Sequence, residues 1–245
     1  VIVGWVVRYC WGAVSGSLFA VGSEEYFGQI TGPFGSLLWH GVVVLVTVLV
    51  LARGVLQGIE KVNRIIMPAF FVLFLVVAVY VGFLPGAAEG YRYLLIPQWE
   101  KLLDPMTWVM AMGQAFFSLS ITGSGMIIYG SYLSKKEDIP RAAMQTALLD
   151  TCAALLAGFA ILPAVFAFGM DPASGPPLIF ITLPKVFAQM PGGRFIAVLF
   201  FLSVIFAGIT SLINMFEVCA EAVTTHLKLP RKAAVVLVGA LAFAA

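Results

Sequence analysis

A run of thirty residues without a formal charge, between Asp104 and Lys135, constrains the fold of this chain more than any other feature. A helix needs only about 20 apolar residues to cross a bilayer, so the run has room for two half-helices and a break. Six of the eight residues in its middle, 118–125, are Ser, Thr or Gly, which favour turns. Irregular backbone at membrane depth persists only where it is buried in protein or lines a wet cavity. The run therefore predicts a discontinuous helix of the kind that builds the midplane sites of secondary transporters.

The composition places the chain among membrane proteins. Of its 245 residues, 61% are hydrophobic and 11% are charged, whereas a soluble domain averages roughly 25% charged residues. The net charge of +2 gives no support for nucleic-acid binding, and the three scattered cysteines have neither disulfide nor zinc-site spacing. We therefore expect an all-α polytopic membrane protein, with membrane lipid as a partner and nothing that fixes its oligomeric state.

Apolar runs delimit the predicted spans. The chain begins and stops inside apolar stretches, so we expect residues 1–245 to be a single transmembrane domain that is a fragment lacking helices at both ends. The runs, punctuated by Pro, Gly and charged clusters, lie at about 1–20, 37–52, 64–85, 106–133, 142–168, 195–225 and 233–245.

The basic residues predict the orientation of these spans. Successive spans alternate in direction, which divides the loops into one set with nine Lys or Arg residues and another that, together with Arg8, has five. The positive-inside rule assigns the richer set to the cytoplasm, so the broken span runs inward. The outer segment 169–194 is long and apolar, which fits either a lid that dips toward the membrane or a simple structured loop. We expect a multi-pass protein of the cell membrane, in bacteria the inner membrane.

Asp150 lies about nine residues inside a predicted span that starts near Arg141. A buried carboxylate needs a cation, strong hydrogen bonds or a proton. The interiors of the spans beyond the first hold no Lys or Arg that could pair with it. Ionisable residues inside a membrane are functional candidates, so we interpret Asp150 as a cation ligand or a proton carrier. A purely structural acid is the alternative.

Other polar residues within the spans are weaker signals. The segment 208–211 offers hydroxyl and carbonyl oxygens, which are hard ligands for small cations, although Ser and Thr often bond only to their own helix. Glu217 and Glu221 share one helix face, and we expect structural hydrogen bonding from both. Pro68 predicts a kink near the start of its span, so the stretch from Gly58 to Pro68 is a candidate for local unwinding.

Five short stretches, in this order and spacing, resemble the neurotransmitter:sodium symporter family, especially its bacterial sodium-dependent amino-acid transporters. The resemblance covers essentially the whole chain, which makes it more specific than any single motif. The stretches are residues 58–64 with Met67 and Pro68, 113–120, 129–132, 180–184 and 207–211.

This resemblance implies an inverted-repeat transporter fold with a discontinuous helix, of which the chain covers about helix 3 to the start of helix 9. It implies import of an amino acid or related small solute by alternating access, with sodium as the coupling ion, no other cofactor and no enzymatic activity. The stretch 180–184 would belong to an extracellular lid. Two alternatives stay open: a proton-coupled carrier that uses Asp150, and a non-transporting membrane sensor of the same fold.

The resemblance also assigns roles residue by residue. Ser118 and Asp150 match ligands of a first sodium ion. Ala207, Thr210 and Ser211 match ligands of a second one, Ala207 through its carbonyl oxygen. Gly58 and Pro68 match a motif at which a helix unwinds to let water reach the second ion. The positions that match residues around the substrate are Phe117, Ser118, Ser120, Gly123, Ser211 and Met215.

Departures from the family pattern lead to three further predictions. Many members have Asn where this chain has Asp150, and chloride-dependent members have Ser where it has Ala154. A carboxylate at Asp150 supplies the negative charge that chloride otherwise provides, so we predict chloride independence. Gly123 replaces a bulky residue common in bacterial relatives, which predicts a wider pocket and a larger or aromatic amino acid. Thr225 replaces the acidic partner of an inner gate, so that gate is weakened or built differently.

Overall fold

The computed structural model describes residues 1–54, 59–122, 124–172, 175 and 177–244, and these residues form helices and turns without a strand. A 3-10 helix lies at Trp99–Leu103 and a π-helix at Leu178–Thr182. The α-helices are α1 (Ile2–Ser15), α2 (Ser17–Val21), α3 (Ser23–Thr31), α4 (Leu37–Ala52), α5 (Lys61–Gly82), α6 (Ala87–Leu95), α7 (Pro105–Ser118), α8 (Gly125–Ser131), α9 (Ile139–Ala167), α10 (Leu183–Gln189), α11 (Gly193–Leu227) and α12 (Arg231–Ala244).

Each predicted span corresponds to one of these helices, except that the first span covers α1 and most of α2 and the broken span covers α7 and α8. Helices α5, α9 and α11 are long and apolar enough to cross a membrane, and α4 is a shorter apolar helix. The all-helical, multi-pass architecture is therefore confirmed. The first predicted span was too long, because Gly16 adopts the left-handed conformation with φ 87° and ends α1 at Ser15.

The predicted discontinuity lies where the Ser, Thr and Gly residues cluster. α7 begins at an Asp-Pro pair, in which the Asp104 carboxylate accepts a hydrogen bond from the Met106 amide at 2.9 Å. It ends at Ser118, and α8 begins only at Gly125. Between them Ser120 and Ser124 have φ values of 55° and 57°, a conformation that no right-handed helix contains. The discontinuous helix is confirmed.

The carbonyl groups at the end of α7 are not all free. A helix that stops without a cap leaves its last carbonyl groups unpaired. Here the amide of Ser120 donates to the carbonyl of Phe117 at 3.1 Å, and the amide of Ile121 donates to that of Phe116 at 3.0 Å. The carbonyl groups of Phe116 and Phe117 are therefore paired with amides of the break.

The main core lies between α1, α5, α9, α11 and the outer segment 178–189. Aromatic rings fill it, and the Tyr9 hydroxyl of α1 donates to the carbonyl of Phe180 at 2.8 Å. Phe180, Leu183 and Phe187 are at most 3% exposed. The outer segment is thus a helical element anchored in the core by its own side chains, and its role as a lid stays a prediction.

Charged side chains connect α1 with α11 and α3 with α10 at the outer ends of these helices. Arg194, at the start of α11, donates through Nε to the carbonyl of Ala13 at 3.0 Å and through Nη2 to that of Val14, which satisfies carbonyls at the end of α1. The Lys185 ammonium on α10 donates to Glu24 on α3 and holds the pKa of that carboxyl below its usual range. These contacts hold the outer face in register with the core.

Gly90 allows α6 to lie directly against α9. A Cβ atom at this position would be 2.4 Å from Pro163 Cα and 2.6 Å from Pro163 N, and the backbone cannot yield as a flexible side chain would. We expect Gly90→Ala to destabilise the protein by about 1–3 kcal/mol, the usual cost of overpacking. Thermal unfolding in detergent measures the difference as a lower midpoint temperature.

The matched control for this prediction is Gly28→Ala in α3. A Cβ atom at Gly28 would meet nothing within 4 Å, and Ala is a better helix former than Gly. The midpoint of the control should stay unchanged or rise slightly. Equal midpoints for the two variants would show that α6 does not approach α9 this closely.

Candidate functional site

A cavity of about 360 Å³ lies beside the helix break, and residues of α5, α7, α8, α9 and α11 line it. The cavity takes polar side chains from all five of these helices and from the break, although the helices themselves are largely apolar. Its polar lining residues are Asn63, Ser118, Ser120, Tyr129, Thr146, Asp150, Thr210, Ser211 and Asn214. Small-ligand sites are typically concave, with a volume of about 300 Å³ or more and a few converging polar groups.

The closest polar contact in the cavity joins the two residues predicted to bind a first sodium ion. The Ser118 hydroxyl, at the end of α7, lies 2.6 Å from Oδ1 and 2.7 Å from Oδ2 of Asp150 on α9. Both residues are half-buried. A carboxylate accepts at about four positions and a hydroxyl at two, so one shared proton leaves several oxygen lone pairs for a cation. The pair is a hard, negatively charged oxygen site at the point where the helix breaks.

Thr210 and Ser211 line the same cavity from α11, whereas Ala207 does not. The hydroxyls of both residues donate to the carbonyl of Ala207, at 2.8 Å from Thr210 and 3.1 Å from Ser211. This is the bonding to the residues' own helix that the sequence left open as an alternative. A hydroxyl that donates in this way still offers two lone pairs, so the arrangement leaves both side chains able to bind a cation.

The other predicted residues differ in whether they line the cavity. Ser120 lines the cavity, and Pro68 follows Met67, which also lines it. Phe117 and Met215 are 67% and 57% exposed, and the structure does not bring them into the lining. Pro68 lies inside the α-helix Lys61–Gly82, so residues 61–68 are helical and not unwound. Gly58 and Gly123 lie outside the described residues, and the predictions made for them stay predictions.

Four polar lining residues were not predicted as site residues from the sequence: Asn63, Tyr129, Thr146 and Asn214. Asn214 follows Ser211 by three positions on α11, and Thr146 precedes Asp150 by four on α9, so helical spacing alone puts each on the cavity face. Asn63 lies at the start of α5, where the sequence suggests an interfacial residue. The signals for Asn214 and Thr146 were therefore present in the sequence, and that for Asn63 was not.

A buried ion pair lies near the predicted cytoplasmic end of the same helices. The Glu217 side chain on α11 is fully buried and accepts from Nη1 and Nη2 of Arg231 at 2.9 and 2.7 Å. The Tyr132 hydroxyl, next to the end of α8, donates to Glu217 Oε1 at 2.7 Å. Glu217 is hydrogen-bonded as expected, and its cationic partner comes from the first residue of α12. The cluster fixes α8, α11 and α12 to one another.

Comparison with known proteins gives three findings. The model of the sodium:neurotransmitter symporter family matches residues 27–245. The chain is 41% identical over 222 residues to YhdH, a sodium-dependent transporter of Bacillus subtilis (strain 168). The matched region covers 89% of this chain and 49% of YhdH. It is 34% identical over 245 residues to a sodium-dependent transporter of Haemophilus influenzae, and the matched region covers 97% of this chain and 53% of that relative.

The same relationship holds at the level of structure. The crystal structure of MhsT in complex with L-phenylalanine matches this fold with a TM-score of 0.89 and 36% sequence identity. The match covers 99% of this chain and 56% of MhsT. The chain therefore spans about half the length of the curated relatives and of the solved structure that it matches.

Proposed function

Because this chain belongs to the sodium:neurotransmitter symporter family, we propose that the full-length protein carries out sodium-coupled symport of an amino acid by alternating access. The family consists of multi-pass membrane transporters and not of enzymes, which agrees with the helices described above. The observation that carries the proposal is the contact between Ser118 and Asp150 at the helix break, 2.6 Å at its shortest, in the wall of the polar cavity.

A sodium ion fits this pair better than a softer ion or an ion of higher charge would. Carboxylate and hydroxyl oxygens are hard ligands, and a single carboxylate balances a single positive charge. The pair joins α7 to α9 across the break, so a bound ion would hold these two helices together. An ion that binds better when the helices are close favours that conformation, which is how ion binding becomes coupled to solute binding.

An amino acid is the proposed substrate. MhsT, which has the same fold, was crystallised with L-phenylalanine. The cavity of about 360 Å³ is of the size expected for such a ligand. An aromatic or otherwise large side chain agrees with the prediction made from Gly123, which lies outside the described residues. Ser118, Ser120 and Ser211 are the proposed substrate contacts that line the cavity, and Ser118, Asp150, Thr210 and Ser211 are the proposed sodium ligands.

Chloride independence is a separate prediction. Asp150 supplies a fixed negative charge beside the proposed sodium ion, so no mobile anion is needed to balance it. Replacing external chloride by gluconate at fixed sodium should leave the rate of uptake unchanged. A loss of uptake that chloride restores would show that Asp150 does not take the place of the anion.

The direct test of the proposed function is uptake of labelled amino acids by the full-length protein in vesicles, with sodium or choline outside. Accumulation that requires sodium is the expected result. Accumulation that persists in choline and increases with an inward proton gradient would favour the proton-coupled alternative. Binding of an amino acid without accumulation under either gradient would favour the sensor.

A further inference from the structure

Helix α1 packs on α11 at the segment that carries the predicted ligands of the second sodium ion. The side chain of Val3 occupies the space beside Gly208, so a Cβ atom at Gly208 would lie 2.9 Å from Val3 Cγ2 and 3.2 Å from Val3 Cγ1. Such distances are repulsive, because non-bonded carbon atoms attract each other best at about 3.5–4.0 Å. Position 208 therefore accepts glycine, and no larger residue, while Val3 stays in place.

A second helix fixes the position of Val3. The next residue, Gly4, is buried, and a Cβ atom there would lie 2.9 Å from the backbone nitrogen and 3.1 Å from Cα of His40 on α4. The backbones of α1 and α4 are therefore in direct contact, and backbone atoms do not yield as a flexible side chain would. This contact holds α1 in place and leaves Val3 little freedom to withdraw from Gly208.

Gly208 shares a rigid peptide group with one of the predicted sodium ligands. A peptide group is planar, so the carbonyl oxygen of Ala207 and Cα of Gly208 move together. This carbonyl accepts hydrogen bonds from the hydroxyls of Thr210 and Ser211, at 2.8 and 3.1 Å. A displacement of Gly208 is therefore transmitted to the carbonyl and to both hydroxyls, which are the three groups predicted to bind the second ion.

We propose that Val3 and Gly208 are positioning residues for the second sodium site. Their contact fixes the peptide group that carries the Ala207 carbonyl, and with it the orientation of the two hydroxyls that bond to this carbonyl. Neither Val3 nor Gly208 is a ligand. The inference rests on the proposed function, because it concerns how one of the proposed ion sites is formed. Sodium affinity then depends on how closely α1 packs on α11.

The first variant that tests this proposal is Gly208→Ala in the full-length protein. The added Cβ atom pushes against Val3, which displaces the peptide group and the ligands attached to it. The quantity measured is the sodium concentration that gives half-maximal uptake of a mixture of labelled L-amino acids. We expect it to rise by about 10-fold, since replacing a residue that orients metal ligands typically costs about 10–100-fold in metal affinity.

Shortening the Val3 side chain provides the second part of the test. Val3→Ala removes two methyl groups and leaves room for a Cβ atom at position 208. The double variant Val3→Ala/Gly208→Ala should therefore have a half-saturating sodium concentration closer to the wild-type value than Gly208→Ala has. Val3→Ala alone loosens the peptide group and should raise this concentration, but by less than Gly208→Ala does. Residues in contact give such non-additive effects, whereas the effects of independent sites add.

Gly90→Ala is the matched control for a general loss of stability. It also places a Cβ atom in a close contact between two helices, but at the contact of α6 with α9. Its half-saturating sodium concentration should equal that of the wild type. An equal rise in Gly90→Ala and Gly208→Ala would overturn the proposal, as would wild-type sodium dependence in Gly208→Ala. If Gly208→Ala fails to fold, an unchanged half-saturating sodium concentration in Val3→Ala would overturn it.

Failure of this inference and failure of the proposed function give different results. Binding of radioactive sodium to the purified full-length variants measures their sodium affinities without requiring transport. Affinities that fall in Gly208→Ala and recover in the double variant, with no sodium-dependent uptake by the wild type, would support the positioning role and contradict symport. Sodium-dependent uptake by the wild type, with additive effects of Val3→Ala and Gly208→Ala, would contradict the positioning role and leave symport standing.

Discussion

Replacement of Asp150 by alanine is expected to reduce sodium-dependent uptake by the full-length protein to the level measured in choline. The change removes both carboxylate oxygens that lie within 2.7 Å of the Ser118 hydroxyl, and with them the negative charge of the site. Hydrogen bonds and ligand contacts to a charged group contribute about 1.5–3 kcal/mol, so sodium affinity should fall by at least about 10-fold. Uptake as a function of sodium concentration measures the effect.

Two further variants separate the effect of losing the charge from an effect on the fold. Ser118→Ala removes a neutral ligand and should weaken sodium dependence less than Asp150→Ala does. Thr151→Val changes the residue next to Asp150, which is exposed and bonds to the carbonyl of Ala147, and should leave uptake unchanged. An Asp150→Ala protein with the wild-type half-saturating sodium concentration would exclude Asp150 as a ligand.

Replacement of Arg231 by leucine is expected to cause a large loss of stability. Glu217 is fully buried, and without Arg231 it keeps only the Tyr132 hydroxyl as a hydrogen-bond partner among those described. Breaking a buried ion pair by removing one partner costs about 3–5 kcal/mol, because the other charge is left buried without compensation. The fall in the thermal midpoint of the full-length protein in detergent measures it.

The two side chains of the pair differ in solvent exposure, and this difference provides controls for the prediction. The Arg231 side chain is 29% exposed, so in Glu217→Gln it can reach solvent, and that variant should lose less stability than Arg231→Leu. The exposed pair Arg64–Glu60 is the matched comparison, and Glu60→Gln should cost less than about 1 kcal/mol. Equal losses for Arg231→Leu and Glu60→Gln would show that the buried pair does not stabilise the fold.

Much of the helical framework was predictable because the bilayer restricts it. An apolar run of sufficient length has few alternatives to a helix when every backbone group must be paired. Local chemistry then sets the ends. The Asp104 and Asp138 side chains cap the first turns of α7 and α9, each with a proline in that turn. The break followed from the Ser, Thr and Gly residues around Ser120, since they stabilise turns at least as well as a helix.

The contacts between helices were less predictable, for a physical reason. The sequence predicted structural hydrogen bonding for Glu217, but Arg231 belongs to a basic loop by position. Only the packing of α12 on α11 brings its guanidinium to the carboxylate. The pairing of Ser118 with Asp150 spans 32 residues and came from the family resemblance, whereas periodicity gives only the face on which each lies. Asn214 was predictable from spacing, and Asn63 required the tertiary structure.

The most direct test of the account is the affinity of the purified full-length protein for its amino acid, measured in sodium and in choline. If Ser118 and Asp150 hold a coupling ion, sodium should tighten amino-acid binding by about 10-fold or more, within the usual range of coupling free energies. Asp150→Ala should abolish this tightening. An affinity that is the same in both salts, or a sodium effect that survives in Asp150→Ala, would contradict the assignment of this site.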